Sequence, residues 1–478
     1  MGDDIIQSKC GLCVAHTLHD AYSFIKSLQH RGREACGIFA FGKNRIDVIK
    51  WKGSVSKVDL IDLHKIFPAS LYHTFGAHVR YATKGREDKI LEDAHPHVIG
   101  GKLENRGDHI LIRDCQAVAI HNGQVNFSKK LNPNLECDTR VLLKYYLKNG
   151  EKELVNKIDG SFTLAIADKS KEEVIVVRDK YAVKPGCLGF KDGKYCAASE
   201  NIALTENGAI HLEDLDSGVI YYLAAHGGYR KLPIEENKQH RHCFFEWNYI
   251  SSAQSIINGL SVLRLRQELG KVLAEEFGNI KADVISFLPR CPEAAARSYA
   301  KALGKEELFR PLFYKMRGER AFQGTTKEDR NESIKSNLNI LPNANKFILG
   351  KTIVLVDDST VRGNNSKYAR ELLEKAGAKK IYLLNYTPRI GIIGSDGVPR
   401  GCMWGVDMPP EDDFIVRDKL KSTNRSDEDI SKEIGAEVRF LSVGAMFRAF
   451  ERCGIKRDNL CSFCIGGPHP FKQFYNNP

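Results

Sequence analysis

The hydrophobic pattern of this chain changes once, near residue 230, and this change restricts the fold more than any other feature of the sequence. Before it, short apolar runs such as FTLAIAD (162–168) and EVIVVRD (173–179) alternate with turns rich in Gly, Asp and Asn. Runs of this length and spacing predict antiparallel strands. Helical periodicity near residues 19–30 and 137–148 interrupts the strands, so the first half is predicted to be α+β rather than a barrel.

After a polar, basic stretch at 227–242, the pattern becomes strand, turn, helix. ADVISFLP (282–289) leads into a helical segment, and so does KTIVLVDD (351–358). The centres of both strands are apolar throughout, which is typical of strands buried on both faces of a parallel sheet. The second half is therefore predicted to be α/β, and its long polar segment at 315–349 is either an active-site flap or a disordered insert.

Charge and cysteine content exclude several classes of protein. The 478 residues carry a formal net charge of +11, but Lys and Arg are spread along the chain, which argues against a nucleic-acid partner and favours a polyanionic small substrate. The start of the chain is acidic and no apolar run approaches the ~18–20 residues of a membrane span, so we expect neither a secretory signal nor a membrane partner, but a cytoplasmic protein. Thirteen cysteines, an odd number, favour reduced thiols, catalysis or a metal over a disulfide framework.

The stretch IVLVDDSTVRGNNS (353–366) predicts a phosphate site. An apolar strand ends in Asp357 and Asp358, and small polar residues then lead into a helix, which places backbone N–H groups, hydroxyls and a helix N-terminus around one point. The two carboxylates suit ribose hydroxyls or an ion. A plain strand-to-helix turn is the alternative, and the paired carboxylates favour the functional interpretation. The further candidate residues of this loop are Ser359, Thr360, Arg362, Gly363, Asn364, Asn365 and Ser366.

Cys10 begins a Cys-x-x-Cys pair, CGLC, which by itself is typical of a redox or zinc pair more often than of a nucleophile. Other motifs follow in the order LQHRGREACGIF (28–39), HVRYATKG (78–85), AIHNGQV (119–125), ECDTRVLL (136–143), DGSFTLAI (159–166), RDKYAVKPG (178–186) and ASEN (198–201). In this order and spacing they resemble the class II glutamine amidotransferase domain. The phosphate stretch resembles the signature of type I phosphoribosyltransferases. Together they make the chain similar to the amidophosphoribosyltransferase family over nearly all of residues 10–470.

The resemblance implies a particular domain order. Residues 1–9 would be a propeptide, 10–240 an α+β N-terminal-nucleophile domain of the class II glutamine amidotransferase type, and 241–478 an α/β type I phosphoribosyltransferase domain with a parallel sheet. Removal of the propeptide would expose Cys10 as the nucleophile. Its α-amino group, which titrates near pH ~8, would then take the proton from the thiol. Cys13 has no role in this scheme and is predicted to be a small buried side chain.

The resemblance also implies a glutamine pocket. Arg80 would bind the glutamine carboxylate and Asp138 its amino group, while Asn122 and the N–H of Gly123 would form the oxyanion hole. Arg31 would lie in the loop that covers the site. Taken singly, these residues have ordinary explanations as a strand charge, a hairpin turn and a helix N-cap. Their joint order favours the functional interpretation.

The pair CSFC (461–464) could belong to a zinc, redox or iron–sulfur site, and a four-cysteine site needs two more ligands. One subgroup of the family carries a [4Fe–4S] cluster, and CFFEW (243–247) and CMWGVDMP (402–409) match it. The ligands that this resemblance implies are Cys243, Cys402, Cys461 and Cys464. Zinc and no metal are the alternatives.

Several positions depart from the family pattern, mainly in the phosphoribosyl half. They are LPRCPE (288–293) for Val-Pro-Asp-Ser-Gly, Asn364 and Asn365 for two threonines, Asn337 for Lys, and, in the first half, Ala182 for Gly, Lys184 for Arg and Arg33 for Gln. The glutaminase set is therefore complete, while the acceptor site is altered at positions that contact pyrophosphate.

The sequence thus favours an amidophosphoribosyltransferase. Cys10 would release ammonia from glutamine, and the ammonia would displace pyrophosphate from phosphoribosyl pyrophosphate, with Mg²⁺ offsetting the charge of the leaving group. A divergent amidotransferase with another phosphorylated acceptor is the first alternative, and an iron–sulfur or redox-sensing, nucleotide-binding regulator the second. The glutamine pocket argues against the regulator. The family further implies a homo-oligomer, a tetramer or dimer, with purine nucleotides as feedback inhibitors.

Overall fold

The computed structural model describes residues 10–80, 90–125, 136–234, 239–289, 291–315, 338–402, 408–418, 420 and 422–469. The predicted propeptide, Asn337 and most of the predicted flap lie outside these residues. None of the helices in the described ranges is long and apolar enough to cross a membrane.

The first unit is built on a continuous antiparallel sheet. Its strands are β1 (Gly11–Ala15), β2 (Ala35–Gly42), β3 (Arg45–Lys52), β4 (Thr74–Arg80), β5 (His97–Asn105), β6 (His109–Gln124), β7 (Ser161–Asp168), β8 (Glu173–Arg178), β9 (Cys187–Lys191), β10 (Lys194–Ala198), β11 (Ile210–Asp214), β12 (Val219–Ala224) and β13 (Tyr229–Pro233). Its helices are α1 (Leu18–Ser27), α2 (Leu60–Ile66), α3 (Ile90–Asp93), α4 (Asp138–Lys157) and α5 (Asn201–Thr205). The strand order is β11-β9-β10-β1-β4-β2-β3-β6-β7-β8-β12-β13, and β5 pairs with β6.

This sheet folds back on itself at β6. The start of β6 pairs with β3 and its end with β7, so the two halves of the sheet face each other as a sandwich. Alternating side chains divide between the two faces: Leu12 and Val14 of β1 pack between the sheets, and Cys13 and Ala15 pack against the layer that contains α1. On the opposite outer face, α4 covers β6 and β7. The four layers confirm the predicted α+β fold.

The second unit contains a parallel sheet. Its strands are β14 (His242–Cys243), β15 (Ile256–Ile257), β16 (Leu260–Ser261), β17 (Val284–Phe287), β18 (Phe313–Lys315), β19 (Leu338–Ile340), β20 (Thr352–Asp357), β21 (Lys380–Asn385), β22 (Arg417–Asp418), β23 (Thr423–Asn424), β24 (Glu437–Phe440) and β25 (Leu460–Cys461). Its helices are α6 (Val262–Phe277), α7 (Glu293–Ala302), α8 (Asn364–Lys375), α9 (Asp427–Ile434) and α10 (Val443–Arg452). The strands β17-β20-β21-β24 pair in that order, all in parallel, as the apolar runs predicted.

Part of the segment predicted as a flap or a disordered insert is ordered. β18 pairs with β19 in antiparallel register, and a 3₁₀ turn follows at Ala344–Phe347. Leu338, Ala344 and Ile348 are buried in the core of the second unit. These few apolar residues anchor 338–349, so a structureless insert is the wrong description for this part of the segment.

Candidate active site

The expected nucleophile lies at one end of the sandwich. Cys10 directly precedes β1, and Gly11 pairs with Val79, so Cys10 and Arg80 lie at the same end of neighbouring strands. Both side chains are buried. The Nη2 atom of Arg80 is 3.6 Å from Asp93 and makes no hydrogen bond to any described residue. A buried guanidinium with an unused donor is suited to a carboxylate ligand.

Asn122 is joined to the nucleophile strand through one hydroxyl. The Ser199 Oγ accepts a hydrogen bond from the Leu12 N–H at 3.0 Å and from the Asn122 Nδ2 at 3.5 Å. The Asn122 amide nitrogen carries two N–H bonds, and the described residues account for one of them. Asn122 is fully buried, at 0% exposure. The second N–H is therefore available to a developing oxyanion, which is the role predicted for Asn122.

The neighbouring Gly123 has a steric requirement. A Cβ atom at this position would lie 1.9 Å from the Ser161 carbonyl oxygen of β7. Only glycine permits this close approach of β6 and β7, which brings the Asn122–Gly123 backbone to the end of the sandwich. The role of the Gly123 N–H as the second oxyanion donor remains a prediction.

Asp138 is the first residue of α4. Its carboxylate accepts hydrogen bonds from the N–H groups of Val125 at 3.0 Å and Thr139 at 2.7 Å, and the His121 Nδ1 lies 3.7 Å away. Burial alone would raise the pKa of Asp138, but His121 and the two N–H groups outweigh burial and lower it. The carboxylate is thus ionised at neutral pH and can pair with an ammonium group.

A cluster of buried histidines supports this end of the sandwich, and sequence reasoning missed it. The ring centroids of His78 and His95 are 4.0 Å apart, and those of His95 and His97 are 4.6 Å apart. The Thr139 hydroxyl bridges His95 and His121, which fastens α4 to β6. Burial lowers the pKa of His78 to about 3 and that of His95 well below its usual range, so these rings are neutral at neutral pH. The sequence motif that could have revealed this histidine cluster is HPH at 95–97.

The sequence led us to expect Arg31 in a loop that covers the site. The structure places it elsewhere. It ends a 3₁₀ turn at Gln29–Arg31, and its side chain is completely buried. Its Nε donates to the Cys10 carbonyl oxygen at 2.8 Å, and its guanidinium pairs with Glu200 and Glu246. Arg31 therefore holds the Cys10 backbone from inside the protein. Because both carboxylates are remote in sequence, no local pattern could reveal this.

Two of the departures from the family pattern, Ala182 and Lys184, are explained by the structure. Ala182 has a φ of 51°, in the left-handed region where glycine is favoured, which explains the glycine of the family pattern. Lys184 lies 3.2 Å from Glu246 and is fully buried. The lysine thus places a positive charge beside Glu246 in the interior.

The phosphate loop begins at the carboxyl end of β20. Gly363 has a φ of 82° and precedes α8, whose first residues, Asn364 and Asn365, are exposed. This helix N-terminus is open to an anion. Asp357 is buried, and burial together with the adjacent Asp358 raises its pKa well above the usual range.

Four of the predicted phosphate ligands make hydrogen bonds or ion pairs within the protein. The Thr360 hydroxyl donates to the Asn385 Oδ1 at 2.7 Å and lies 3.2 Å from the Ser366 hydroxyl, and both residues are buried. Arg362 forms an ion pair with Asp412. Ser359 donates to Asp358 at 3.0 Å. The loop therefore presents its helix N-terminus and the Asp357–Asp358 pair, while Thr360 and Ser366 stabilise its shape.

The four predicted cluster cysteines converge. β14 pairs with β25 so that Cys243 lies opposite Cys461, and the pKa of Cys464 is raised well above its usual range by burial and then by the charges of Cys402, Cys461 and Cys243. Burial and Cys402 likewise raise the pKa of Cys461 to about 12. None of the four forms a disulfide with a described residue. Within the described ranges, no three His, Cys, Asp or Glu side chains are arranged to hold a metal ion.

The chain is similar to known proteins, both over one domain and over nearly its whole length. The family model of the glutamine amidotransferase domain matches residues 103–236. The amidophosphoribosyltransferase of Archaeoglobus fulgidus is 29% identical over 469 residues, covering 94% of each chain, and that of Methanothermobacter thermautotrophicus is 28% identical over 494 residues, covering 98% of this chain and 96% of its own.

Solved structures give the same result. The glutamine phosphoribosylpyrophosphate amidotransferase of B. subtilis, solved with ADP and GMP, superposes with a TM-score of 0.77 at 25% identity and covers 96% of this chain and 97% of its own. The match extends over both units, which confirms an N-terminal-nucleophile domain followed by a phosphoribosyltransferase domain. By sequence and by fold, this chain is similar to amidophosphoribosyltransferases over nearly its whole length.

Proposed function

We propose that this protein is an amidophosphoribosyltransferase, which converts glutamine and phosphoribosyl pyrophosphate to phosphoribosylamine, glutamate and pyrophosphate. One observation carries the proposal: Cys10, Arg80, Asn122 and Asp138 meet at one end of the sandwich, in the same chain as a phosphate loop on a parallel sheet.

The glutaminase step uses the first unit. Arg80 binds the α-carboxylate and Asp138 the α-ammonium of glutamine, which places the carboxamide between Cys10 and Asn122. The Cys10 thiolate attacks the carboxamide carbon, and the Asn122 N–H stabilises the oxyanion by about 3–4 kcal/mol. The departing nitrogen takes a proton and leaves as ammonia, and water hydrolyses the thioester to glutamate.

The acceptor step uses the second unit. The N-terminus of α8 binds the 5-phosphate, and Asp357 and Asp358 bind the ribose hydroxyls, at the carboxyl edge of the sheet where ligands of such folds bind. Burial and the adjacent Asp358 raise the pKa of Asp357, and two adjacent carboxylates of this kind are also a suitable environment for a divalent cation. Bound Mg²⁺ would offset the charge of the pyrophosphate leaving group.

The first experiment measures glutamate and pyrophosphate together, on anaerobically purified protein, with and without phosphoribosyl pyrophosphate and Mg²⁺. We expect equal amounts of the two products and stimulation of glutamate release by phosphoribosyl pyrophosphate. If the rate of glutamate release does not change when phosphoribosyl pyrophosphate is added, the result would instead support the divergent amidotransferase. The LPRCPE loop favours that second candidate, because it replaces the Val-Pro-Asp-Ser-Gly of the family pattern. Its Cys291 thiol donates to the Tyr249 carbonyl oxygen at 3.4 Å.

Replacement of Asp138 by Asn tests the glutamine pocket. We expect KM for glutamine to rise about 10- to 100-fold, because an ion pair to the substrate ammonium becomes a neutral hydrogen bond. Synthesis from added ammonia should be unchanged. Asp59→Asn is the matched control, since Asp59 also lies at a helix N-terminus of the first unit but at α2. Equal effects of the two substitutions would reduce Asp138 to a helix-capping role.

We also propose that Cys243, Cys402, Cys461 and Cys464 hold a [4Fe–4S] cluster. Four neighbouring thiols, of which Cys402 and Cys461 are buried, repel each other when ionised, and iron would supply the positive charge that allows them to be thiolates. Each iron takes one thiolate, so the four sulfurs need not meet around a single ion.

Cys461→Ser tests the cluster. We expect about four irons and four sulfides per wild-type chain and loss of most of both in the variant, measured by elemental analysis and visible absorbance. Cys453→Ser is the control, because Cys453 is a free thiol at the end of α10, outside the four. Stoichiometric zinc without iron in the wild type would contradict the proposal.

Our expectations about regulation and assembly rest on the relatives rather than on the geometry of the site. The B. subtilis enzyme was solved with ADP and GMP, and we propose that purine nucleotides inhibit this protein as well. A homotetramer or dimer, a cytoplasmic location and removal of residues 1–9 remain predictions.

A further inference from the structure

The guanidinium of Arg31 is held by two carboxylates from different units. Its Nη1 donates to the Glu200 Oε1 at 2.5 Å, and the two terminal nitrogens lie 3.1 and 3.2 Å from the Glu246 carboxylate. Lys184 adds a second positive charge, 3.2 Å from Glu246. We call these four residues the Arg31 cluster. Their side chains are at most 1% exposed, and two positive charges balance two negative ones.

We infer that Glu246 is a positioning residue for the nucleophile: it holds Arg31 against the Cys10 carbonyl, and the turn that contains Glu246 connects this contact to the phosphate loop. Within the cluster, Arg31 contacts the nucleophile directly, because its Nε donates to the Cys10 carbonyl oxygen at 2.8 Å. Since a buried ion stays in place only while its partner charges remain, loss of the Glu246 charge displaces Arg31 and with it the Cys10 backbone.

The connection runs through a π-helical turn at Glu246–Ile250. Such turns are rare and often mark functional sites. The Asn248 Nδ2 donates to the Thr387 hydroxyl at 2.9 Å, and the Thr387 N–H donates to the Asp358 carbonyl oxygen at 3.1 Å. The Tyr386 hydroxyl donates to the Asn248 carbonyl oxygen at 2.6 Å. One turn thus contacts both the Arg31 cluster and the strand end beside the phosphate loop.

This route rests on the proposed function, because it makes glutamine cleavage respond to a phosphorylated substrate at Asp358. Movement of Asp358 on binding would shift Thr387 and Asn248, and the shared turn would shift Glu246 and Arg31. A coupling of this kind is established only by variants that change it.

The test compares Glu246→Gln, Asn248→Ala and the wild type. For Glu246→Gln we expect kcat for glutamate release to fall about tenfold with little change in KM for glutamine, because Arg80 and Asp138 are untouched. For Asn248→Ala we expect the ratio of glutamate release with and without phosphoribosyl pyrophosphate to fall toward one. Tyr299→Phe is the matched control, because it removes another buried hydrogen bond of the second unit, to the Phe277 carbonyl oxygen at 2.9 Å, and should keep the wild-type ratio.

The rate at which iodoacetamide labels Cys10, followed by mass spectrometry, reports the position of the nucleophile without any turnover. We expect slower labelling in Glu246→Gln and recovery in Glu246→Asp. If the single variant does not fold, the double variant Lys184→Gln/Glu246→Gln is used instead. It keeps the net charge of the cluster at zero and still removes the ion pair between Glu246 and Arg31. Wild-type labelling and kcat in the folded variants would overturn the role of Glu246, and an unchanged ratio in Asn248→Ala would overturn the connection. If phosphoribosyl pyrophosphate does not change the rate of glutamate release by the wild type, the proposed function and the connection are both refuted. The labelling rate would still decide the role of Glu246.

Discussion

Replacing Cys10 with alanine is expected to abolish glutamine-dependent synthesis while synthesis from added ammonia persists. Loss of the thiol removes the covalent step, and loss of a nucleophile of this kind lowers kcat by about 10⁴- to 10⁶-fold. The second unit has its own sheet and core, so its reaction with ammonia should proceed at close to the wild-type rate. Glutamate and phosphoribosylamine are measured separately, with glutamine or ammonium chloride as the nitrogen source.

Cys13→Ala is the matched control for this substitution. Cys13 lies on β1, three positions after Cys10, and its thiol is fully buried in the layer between β1 and α1. Burial raises the pKa of the Cys13 thiol well above its usual range, so it is no substitute nucleophile. Cys13→Ala should keep both activities and lose about 1 kcal/mol of stability. Residual glutamine-dependent activity in Cys10→Ala would assign the nucleophile elsewhere.

Asn122→Ala should lower kcat for glutamate release by about 10²- to 10³-fold, with a smaller effect on KM for glutamine. The physical reason is that the Asn122 N–H acts on charge that exists only in the transition state, whereas Arg80 and Asp138 bind the ground state as well. Steady-state kinetics of glutamate release checks this, and ammonia-dependent synthesis serves as the internal control.

Ser199→Ala provides a graded comparison with Asn122→Ala. The Ser199 hydroxyl lies 3.5 Å from the Asn122 Nδ2 and orients it. Loss of this hydroxyl should therefore lower kcat about tenfold, which is less than the decrease expected for Asn122→Ala. If Asn122→Ala raises KM and leaves kcat unchanged, Asn122 binds glutamine and is not an oxyanion donor.

Short-range features of the chain predicted much of the fold. Short apolar runs separated by turns predicted the antiparallel strands of the first unit, and uniformly apolar runs leading into helices predicted the parallel strands β17, β20 and β21 of the second. The flap base was less predictable, because the residues that pack it into the core, Leu338, Ala344 and Ile348 among them, follow a long polar stretch of sequence. The order of the motifs was enough to select Cys10, Asn122 and Asp138 as site candidates.

The sequence by itself therefore determined the two kinds of unit, their order and the candidate nucleophile, because strand and helix periodicity and motif spacing are properties of neighbouring residues. Only the tertiary structure decided what Arg31 does. Its partners Glu200 and Glu246 are 169 and 215 residues away, and no local pattern pairs charges over such distances. Burial then makes these remote charges depend on one another, since in the interior an ion without its partner is too costly to keep.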